Sequence, residues 1–280
     1  LAGRTEEEIF KLLKMSYIPP ELREDTGEIE LAKINKLPRL VEFGDVLADL
    51  HVHSIWSDGR NSIEQLVQVA KKRNYSYLAI TDHSQGLKVA GGLSVRELRK
   101  KKTEIEKINS KLKSFRVLYG TEVDIDSEGK LDYSDKVLRE FDLVIAAIHS
   151  GFKQSKAKLT QRIVKACQNR YVHIIAHPTG RLWGTRDAYE LDFEQILEVC
   201  RLTNTALEIN SMPDRLDLND ANARHAKDTG VRLAIGTDAH SIGGLDAMQL
   251  GISLARRAWL EKKDLLNCLP VEEFLKAIKK

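Results

Sequence analysis

The stretch LADLHVHSIWSDG, residues 47–59, joins a short apolar run to three potential metal ligands. His51 and His53 occupy alternate positions at the end of the run, and Asp58 lies in a Ser-Asp-Gly turn after it. Alternate residues of a strand face the same side about 6.6 Å apart, so both imidazoles can point at one ion. Gly59 allows the chain to double back and bring Asp58 towards them. Imidazole and carboxylate ligands suit Zn, Mn or Fe(II), and the stretch therefore predicts a metal site at the end of a strand.

Similar apolar runs recur after residue 46 and alternate with helical patterns. The runs that we predict to be strands are 46–52, 76–82, 116–125, 143–150, 172–178, 206–211 and 232–238. Alternation of strands and helices is typical of a parallel sheet with helices outside. Strands that are apolar along nearly their whole length favour a closed or nearly closed α/β barrel. An open, doubly wound sheet is the alternative.

Histidines and carboxylates concentrate at the carboxyl ends of these predicted strands, where parallel α/β barrels place their chemistry. The candidate metal ligands are His51, His53, Asp58, His83, Glu122, His149, His177, Asp238 and His240. His173 and His225 lie at a strand start and inside a helix, so they fail the positional test. A lone buried histidine is more often a hydrogen-bonded core residue than a ligand. Burying this many titratable groups together without metals is costly, and the set exceeds the four ligands of one tetrahedral zinc; two or three metals are implied.

Composition limits the remaining choices. The net charge of +3 is compatible with a polyanionic partner but does not identify one. The run RELRKKK, residues 96–102, is interpreted as a solvated helix face. The three cysteines are widely spaced and contain no Cys-x-x-Cys motif, which argues against a disulfide framework or a zinc ribbon. Without a signal peptide or a long apolar segment, a soluble cytoplasmic protein is expected.

Residues 1–45 differ in pattern from the rest of the chain. A short amphipathic helix is predicted from Glu6 to Met15, and it ends before Pro19–Pro20. A second short helix is predicted to end near Pro38. We interpret this segment as a linker without an independent core. The chain starts with Leu rather than Met, and it is interpreted as a fragment of something longer.

The motifs resemble those of the PHP (polymerase and histidinol phosphatase) superfamily over nearly all of residues 46–280. The stretches that carry this resemblance are DLHVHS with SDG, AITDHS, GTEVDI, AAIHSGF, AHPTGR, ALEINSMPDRLDL and GTDAHS, in that order. The stretches IPPELRE, HPTGR, INSMPDRLDL and ARRAWL resemble more closely the C-terminal PHP domain of bacterial and archaeal family X DNA polymerases. Residues 1–45 are then expected to be the tail of a polymerase region and a linker, and residues 46–280 the PHP metallophosphoesterase domain.

The resemblance implies a distorted (β/α)7 TIM-like barrel and three divalent metal ions, Mn, Zn or Fe. One ion is expected to bind His51, His53, Glu122 and Asp238. A second is expected to share Glu122 and to bind His149 and His177. A third is expected to bind Asp58, His83 and His240. The residues expected to act in catalysis are Glu122, Asp238, His83 and Arg181, the last as an additional phosphate contact or, alternatively, in a surface ion pair. Asp82 is interpreted as a carboxylate that orients a ligand histidine, and Asn210 as a hydrogen-bonding or purely structural residue at the rim.

Three functions compete at this stage. The first is a DNA phosphoesterase, a 3′–5′ exonuclease or an enzyme acting on abasic DNA, with DNA and an N-terminal family X polymerase domain as partners. The second is a phosphatase of a small monoester such as histidinol phosphate. The third is an inactive structural domain, which the complete ligand set disfavours. A polymer requires an open groove with basic flanks, whereas a small ester favours a closed pocket.

Overall fold

A parallel barrel forms the centre of the computed structural model, which describes residues 3–280. Its strands are β1 Ala48–Val52, β2 Tyr77–Ile80, β3 Arg116–Asp124, β4 Leu143–Ala147, β5 Ile174–Ile175, β6 Ala206–Asn210 and β7 Leu233–Gly236. They pair in parallel in the order in which they occur along the chain. The predicted (β/α)7 barrel is therefore confirmed, and the doubly wound alternative is wrong because the strand order never reverses.

Helices follow the strands and cover the outside of the barrel. The α-helices are α1 Glu6–Leu12, α2 Glu28–Lys33, α3 Ile63–Lys72, α4 Val95–Asn109, α5 Asp135–Leu138, α6 Lys156–Gln168, α7 Phe193–Thr203, α8 Asp220–Asp228, α9 Met248–Arg257 and α10 Val271–Ala277. Two of the helices that cover strands begin with capping boxes, Ser62 with Gln65 and Ser94 with Glu97. Each box satisfies free backbone N–H groups at the helix start, so these residues determine where the chain turns back along the barrel. No described helix is long and apolar enough to cross a membrane.

Apolar residues fill two layers. The larger layer lies between the strands and the surrounding helices. The smaller layer fills the barrel interior, where Leu50, Leu118 and Ile145 pack together with Phe274 of α10. The Phe274 ring lies 5.5 Å from that of Tyr77 at the amino end of β2. Since α10 closes this end of the barrel, the interior opens only towards the carboxyl ends of the strands.

The barrel closes between β1 and β7 through a few specific bonds. At the carboxyl end, the Asp238 N–H donates to the His51 carbonyl and the His53 N–H donates to the Ala239 carbonyl, both at 2.9 Å. At the amino end, the buried side chain of Asn267 lies between the two strands. Its Oδ1 accepts from the Ile235 N–H at 2.7 Å, and its Nδ2 donates to the carbonyls of Ala48 at 3.0 Å and Ile235 at 2.8 Å. One side chain thus replaces part of a missing strand pairing.

The segment before β1 packs against the barrel near the end of α9. Ile18, Leu22, Ala32 and Leu40 form a small apolar cluster with Trp259 of the barrel domain. Arg256 is 2.6 Å from Glu21, and Arg257 is 2.6 Å from Glu24. The cluster therefore needs a barrel residue to be complete. The division of the chain at residue 45, and the origin of the first segment as the tail of a polymerase region, stay predictions.

The interpretation of residues 96–102 as a solvated face is wrong for one of its charged members, Lys101, and for Leu98. Lys101 is completely buried, and its Nζ is 2.7 Å from the Asp82 carboxylate. The same Nζ donates to the carbonyls of Ile80 and Gly120, each at 3.0 Å. Asp82 therefore pairs with this lysine and does not orient a ligand histidine. Lys101 shares the buried stripe of α4 with Leu98 and Ile105, a helical spacing that places it towards the sheet.

Replacing Asn267 tests the closure of the barrel. We expect Asn267→Ala to lower the free energy of unfolding by about 3 kcal/mol, because it leaves buried backbone groups of both strands without partners. Urea denaturation followed by circular dichroism measures the change. Asn222→Ala, on helix α8, is the matched control and is expected to change stability by less than about 0.5 kcal/mol. Equal stability of the two variants would show that the seam does not depend on this side chain.

Candidate metal centre

A β-bulge turns the two histidines of β1 into the barrel. The pairing of β1 with β2 passes from Asp49–Leu78 to Val52–Ile80, so two residues of β1 face one residue of β2. Leu50 already points into the barrel interior, and strict alternation would turn His51 and His53 outwards. The bulge inserts one residue and reverses the phase, which places Val52 in the outer apolar layer. The imidazoles therefore continue the inward-facing side of the strand.

All nine predicted ligands lie at this open end of the barrel. Two of them adopt left-handed backbone angles where the chain leaves a strand: His177 has φ 28° and Asp238 has φ 54°. The turn at His177 also explains why β5 ends before the predicted residue 178. Such angles cost on the order of 1–3 kcal/mol for residues other than glycine and concentrate at functional sites. In both cases the turn directs the side chain across the mouth of the barrel.

Glu122 of β3 is the centre of the cluster and is 1% exposed. Its two carboxylate oxygens lie between 2.8 and 3.6 Å from ring nitrogens of His51, His53, His83, His149 and His177. The His51 Nε2 is also only 3.0 Å from the His53 Nε2. Since neither nitrogen can donate to the other if both are unprotonated, such a contact is favourable when a cation lies between them.

The donor atoms form three overlapping groups. They are His51, His53 and Asp238; His83, Glu122 and His149; and His53, Asp58, His83 and His240. These groups resemble the expected ligand sets but are divided differently, because His53 and His83 each present one nitrogen to one group and the other nitrogen to another. His177 lies 2.9 Å from Glu122. This distance is compatible with the expectation that both residues bind the second ion. The assignment of each residue to one ion stays a prediction.

Several buried donor atoms in the cluster lack a hydrogen bond among the described residues. They are His53 Nδ1, His83 Nδ1, His177 Nδ1 and Glu122 Oε2. His83 Nδ1 is 2.8 Å from Glu122 Oε2, but the geometry is not that of a hydrogen bond. Buried polar atoms are rarely unpaired in native proteins. Cations bound by the separate donor groups would pair such lone pairs, and the donor set fits divalent cations.

The carboxylates that hold the histidines were not predicted from the sequence. Glu208 of β6 accepts from His51 Nδ1 at 2.7 Å and from the His177 N–H at 2.7 Å. Asp124 is 3.1 Å from His149 Nδ1. Asn210 donates to Glu208 at 3.2 Å and to Asp238 at 3.1 Å. A carboxylate on one ring nitrogen fixes the tautomer and leaves the other nitrogen free for a metal. Glu208 was visible as a charged residue inside an apolar strand.

Charge and burial divide the histidines into two kinds. Burial alone would lower the pKa of His51, but the carboxylates of Glu208, Asp238 and Glu122 raise that pKa well above its usual value. Burial, reinforced by the charge of His83, lowers the pKa of His53 to about 4. Burial and Arg215 lower the pKa of His177 to about 3. The last two are therefore neutral near pH 7, the form in which imidazole binds metal.

Arg215, rather than Arg181, is the arginine that reaches the cluster. Its Nε lies 3.4 Å from Asp238 Oδ2, and neither Nε nor Nη1 makes a hydrogen bond within residues 3–280. Arg181 donates to the backbone carbonyls of Arg215, at 2.9 Å, and Leu216, and its guanidinium stacks over Trp183. Two guanidinium nitrogens of Arg181 thus fix the loop that carries Arg215, and the phosphate contact expected for Arg181 stays a prediction. No local pattern marks Arg215 in the sequence, because its position depends on the path of this loop.

The two histidines that failed the positional test lie away from the cluster. His173 Nδ1 accepts from the Val144 N–H at 3.0 Å, at the amino end of the barrel strands. His225 of α8 is half-buried and lies 3.2 Å from Glu194. Both have ordinary structural partners, and neither belongs to a metal-ligand group of the described residues.

Comparison with known proteins agrees with this geometry. A family model described as the PHP domain matches residues 49–212, and one described as the DNA polymerase beta thumb matches residues 1–24. The chain is 46% identical over 275 residues to the DNA polymerase/3′-5′ exonuclease PolX of Bacillus subtilis (strain 168). That match covers 97% of this chain and 48% of the relative, so the chain spans about half its length.

Two further matches cover most of both proteins. A protein described as a probable phosphatase in Thermoanaerobacter sp. (strain X514) is 29% identical over 248 residues, which is 84% of this chain and 96% of that protein. A crystal structure of histidinol phosphate phosphatase from Lactococcus lactis, complexed with zinc, L-histidinol and phosphate, has a TM-score of 0.54. At 18% identity, covering 74% of this chain and 93% of that one, this structure is similar in fold alone.

Glu208 provides a test of the metal centre from outside the ligand set. We expect Glu208→Gln to weaken binding of Zn²⁺ or Mn²⁺ about tenfold, because the uncharged amide holds the His51 ring less firmly. Competition with a chelating dye measures the affinity without any assay of activity. Glu194→Gln is the matched control, since it removes the same charge beside His225 on the surface. Unchanged affinity in the Glu208 variant would remove this carboxylate from the centre.

Glu122 is expected to be the least replaceable residue. Glu122→Ala should abolish hydrolysis and lower the metal content of the purified protein, because its carboxylate serves more than one group of donors. His173→Ala and His225→Ala should leave turnover and metal content nearly unchanged. Elemental analysis and activity are measured on the same samples. An inactive but folded His225 variant would contradict the selection of ligands by their position at strand ends.

Proposed function

Because this chain belongs to the PHP domain family and is a metal-dependent hydrolase of that kind, we propose that it cleaves DNA phosphodiesters from a 3′ end. The observation that carries this proposal is the 46% identity to a protein named as a polymerase and 3′-5′ exonuclease, which extends over 97% of the chain. The match of residues 1–24 to a polymerase thumb agrees with a polymerase context for the chain. An N-terminal family X polymerase domain is the proposed partner in the longer protein, and DNA is the proposed substrate. Cleavage at abasic sites is a further form of the same activity.

The cluster has the chemical parts for phosphoryl transfer to water. Divalent cations, of which we propose three, supply positive charge for phosphoryl oxygens and lower the pKa of water. Glu122 and Asp238 keep their negative charge: although burial opposes it, the surrounding histidines hold the pKa of each carboxyl well below its usual range. The Arg215 guanidinium lies beside Asp238, and its Nε and Nη1 make no hydrogen bond within residues 3–280; a planar guanidinium matches two oxygens of a phosphate. No serine, cysteine or other protein nucleophile is needed.

Exposure at the mouth of the site supports a polymeric substrate. The side chains of Asp58 and His240 are 32% and 30% exposed, whereas the other ligands lie deeper. Exposed apolar side chains stand on the loops that follow four strands: Ile55, Val89, Trp183 and Ile242. Trp183 is 59% exposed and stacked against Arg181, an arrangement that suits stacking of an unpaired base. A closed pocket around a small monoester would bury these groups.

A small-molecule phosphatase is the second candidate. The relative described as a probable phosphatase matches over 96% of its own length. A protein described as a phosphatase thus consists almost entirely of the region that it shares with this chain. The same donors can serve a monoester, because the phosphoryl group and the attacking water are common to both reactions. The completeness of the donor set argues against an inactive structural domain.

Substrate choice is tested by comparing catalytic efficiencies. With manganese present, we expect nucleotides to be released from single-stranded or 3′-recessed DNA more efficiently than phosphate from histidinol phosphate. The DNA reaction should weaken steeply with salt, because each phosphate contact releases counterions. A monoester bound mainly at the metals should show a shallow salt dependence. Abasic duplex DNA in the same series tests the endonucleolytic form.

Two outcomes decide against the proposal. Release of phosphate from histidinol phosphate, with no nucleotide released from any DNA at low salt, would establish the phosphatase. Hydrolysis of neither substrate by protein that binds its metals would favour a structural domain. A high apparent KM for DNA agrees with the proposal, because the chain spans about half the length of the relative named as a polymerase and exonuclease.

A further inference from the structure

A separate cavity adjoins the candidate metal centre on the side of β7 and α9. Its volume is about 570 Å³. The metal-ligand candidates Asp238 and His240 form part of its inner wall, so the cavity opens directly onto the donors. The other walls include Met212, Pro213, Ala247 and Leu250. None of these four residues binds the predicted ions or holds their ligands.

The lining combines apolar walls with a cation at the edge. Met212 and Pro213 come from the loop after β6, and Leu250 comes from the first turn of α9. Arg60 also lines the cavity, and its backbone N–H donates to the His240 carbonyl at 2.8 Å. The Arg60 side chain is exposed and forms no ion pair within residues 3–280. The cavity thus offers apolar contact beside the metal-ligand candidates and the unpaired cation of Arg60, while the one carboxylate of its outer lining, Asp246, pairs with Arg73.

We propose that this cavity is the subsite for the nucleoside attached to the phosphate that is cleaved. Its volume lies within the range of about 300–1,000 Å³ that is usual for small-molecule sites. A base and deoxyribose present a flat, largely apolar body, and the linked phosphate then meets Asp238, His240 and their metals. Arg60 is placed for the next phosphate of the strand, where a monoester has no group. The inference rests on the proposed function and specifies how that site recognises DNA.

The apolar walls, the adjoining metal-ligand candidates and the charge of Arg60 together favour a nucleoside as the occupant. A purely apolar ligand would leave Arg60 and the metal-facing wall without partners, and a free phosphate would leave the apolar walls empty. A nucleotide satisfies both parts at once. Histidinol, whose imidazole is smaller and whose amine is cationic, is the competing occupant, and an amine beside Arg60 is electrostatically unfavourable.

Binding of dTMP compared with inorganic phosphate tests the subsite directly. To manganese-loaded protein, dTMP should bind at least about tenfold more tightly than phosphate, the factor given by burial of about 60 Å² of apolar surface. Leu250→Gln should reduce this preference severalfold without adding charge, because it removes one apolar wall. Ala247→Phe should abolish it by filling the cavity. Isothermal titration calorimetry measures both ligands on the same protein.

A matched control is available on another helix. Leu202 of α7 is exposed like Leu250 and is absent from the cavity lining, so Leu202→Gln should keep the wild-type preference. Equal binding of dTMP and phosphate by the wild type would overturn the inference. The inference is likewise overturned if both cavity variants keep the preference, if Leu202→Gln loses it, or if histidinol phosphate binds more tightly than dTMP.

The same samples separate failure of the subsite from failure of the proposed function. Nucleotide release from single-stranded DNA is measured beside binding. A preference for dTMP that depends on Leu250, without DNA cleavage, would support the subsite and overturn the proposed function. DNA cleavage without any preference for dTMP would support the function and overturn the subsite.

Discussion

Glu122 places a negative charge at the centre of a buried ring of imidazoles. The barrel must bring these imidazoles together to compensate that charge. A buried carboxylate is strongly unfavourable unless it is paired. The imidazoles around Glu122 come from β1 and from the segments after β2, β4 and β5, which are distant in sequence. Only a structure that brings the carboxyl ends of parallel strands together can supply them to a carboxylate on β3. The donors are therefore held in place by the barrel as a whole.

Closure of the barrel and formation of the site depend on the same seam. His51 and His53 stand on β1 and just after it, while Asp238 and His240 come after β7. Two backbone hydrogen bonds join these segments at the carboxyl end. One runs from Asp238 to His51, and the other from His53 to Ala239. Asn267 closes the other end of the seam. A cation held by ligands from both strands would reinforce the closure and would thereby couple metal binding to the stability of the barrel.

Residues at strand ends could be predicted because one rule governs them. Apolar, β-branched runs locate the strands, and parallel pairing brings their ends together, so the nine candidate ligands could be placed at one rim. The residues that were missed obey no such rule. The inward turn of His51 depends on a bulge that is visible only in the pairing with β2. Arg215 depends on a loop held by Arg181.

Two missed residues did leave signals in the sequence. Lys101 shares the helical spacing of Leu98 and Ile105, which marks it as buried. The run of charged residues around it indicates a solvated face instead, and that interpretation is wrong for Lys101. Glu208 is a charged residue within an apolar strand, and its environment is fully buried. A charge at a core position is unfavourable without a partner. Such positions predict a buried partner, Asp82 in one case and His51 in the other, although not which one.

The metal donors by themselves do not select a substrate. Imidazoles and carboxylates around divalent ions bind the phosphoryl group, which DNA and small monoesters share. Selection must come from groups that touch the rest of the substrate, and these lie on the loops after the strands, as is usual for α/β barrels. In this chain the loops carry Trp183, Arg215 and Met212, and Met212 lines the cavity together with Leu250 of α9. The scaffold can remain constant while these few side chains determine whether a nucleoside or a smaller group fits beside the metals.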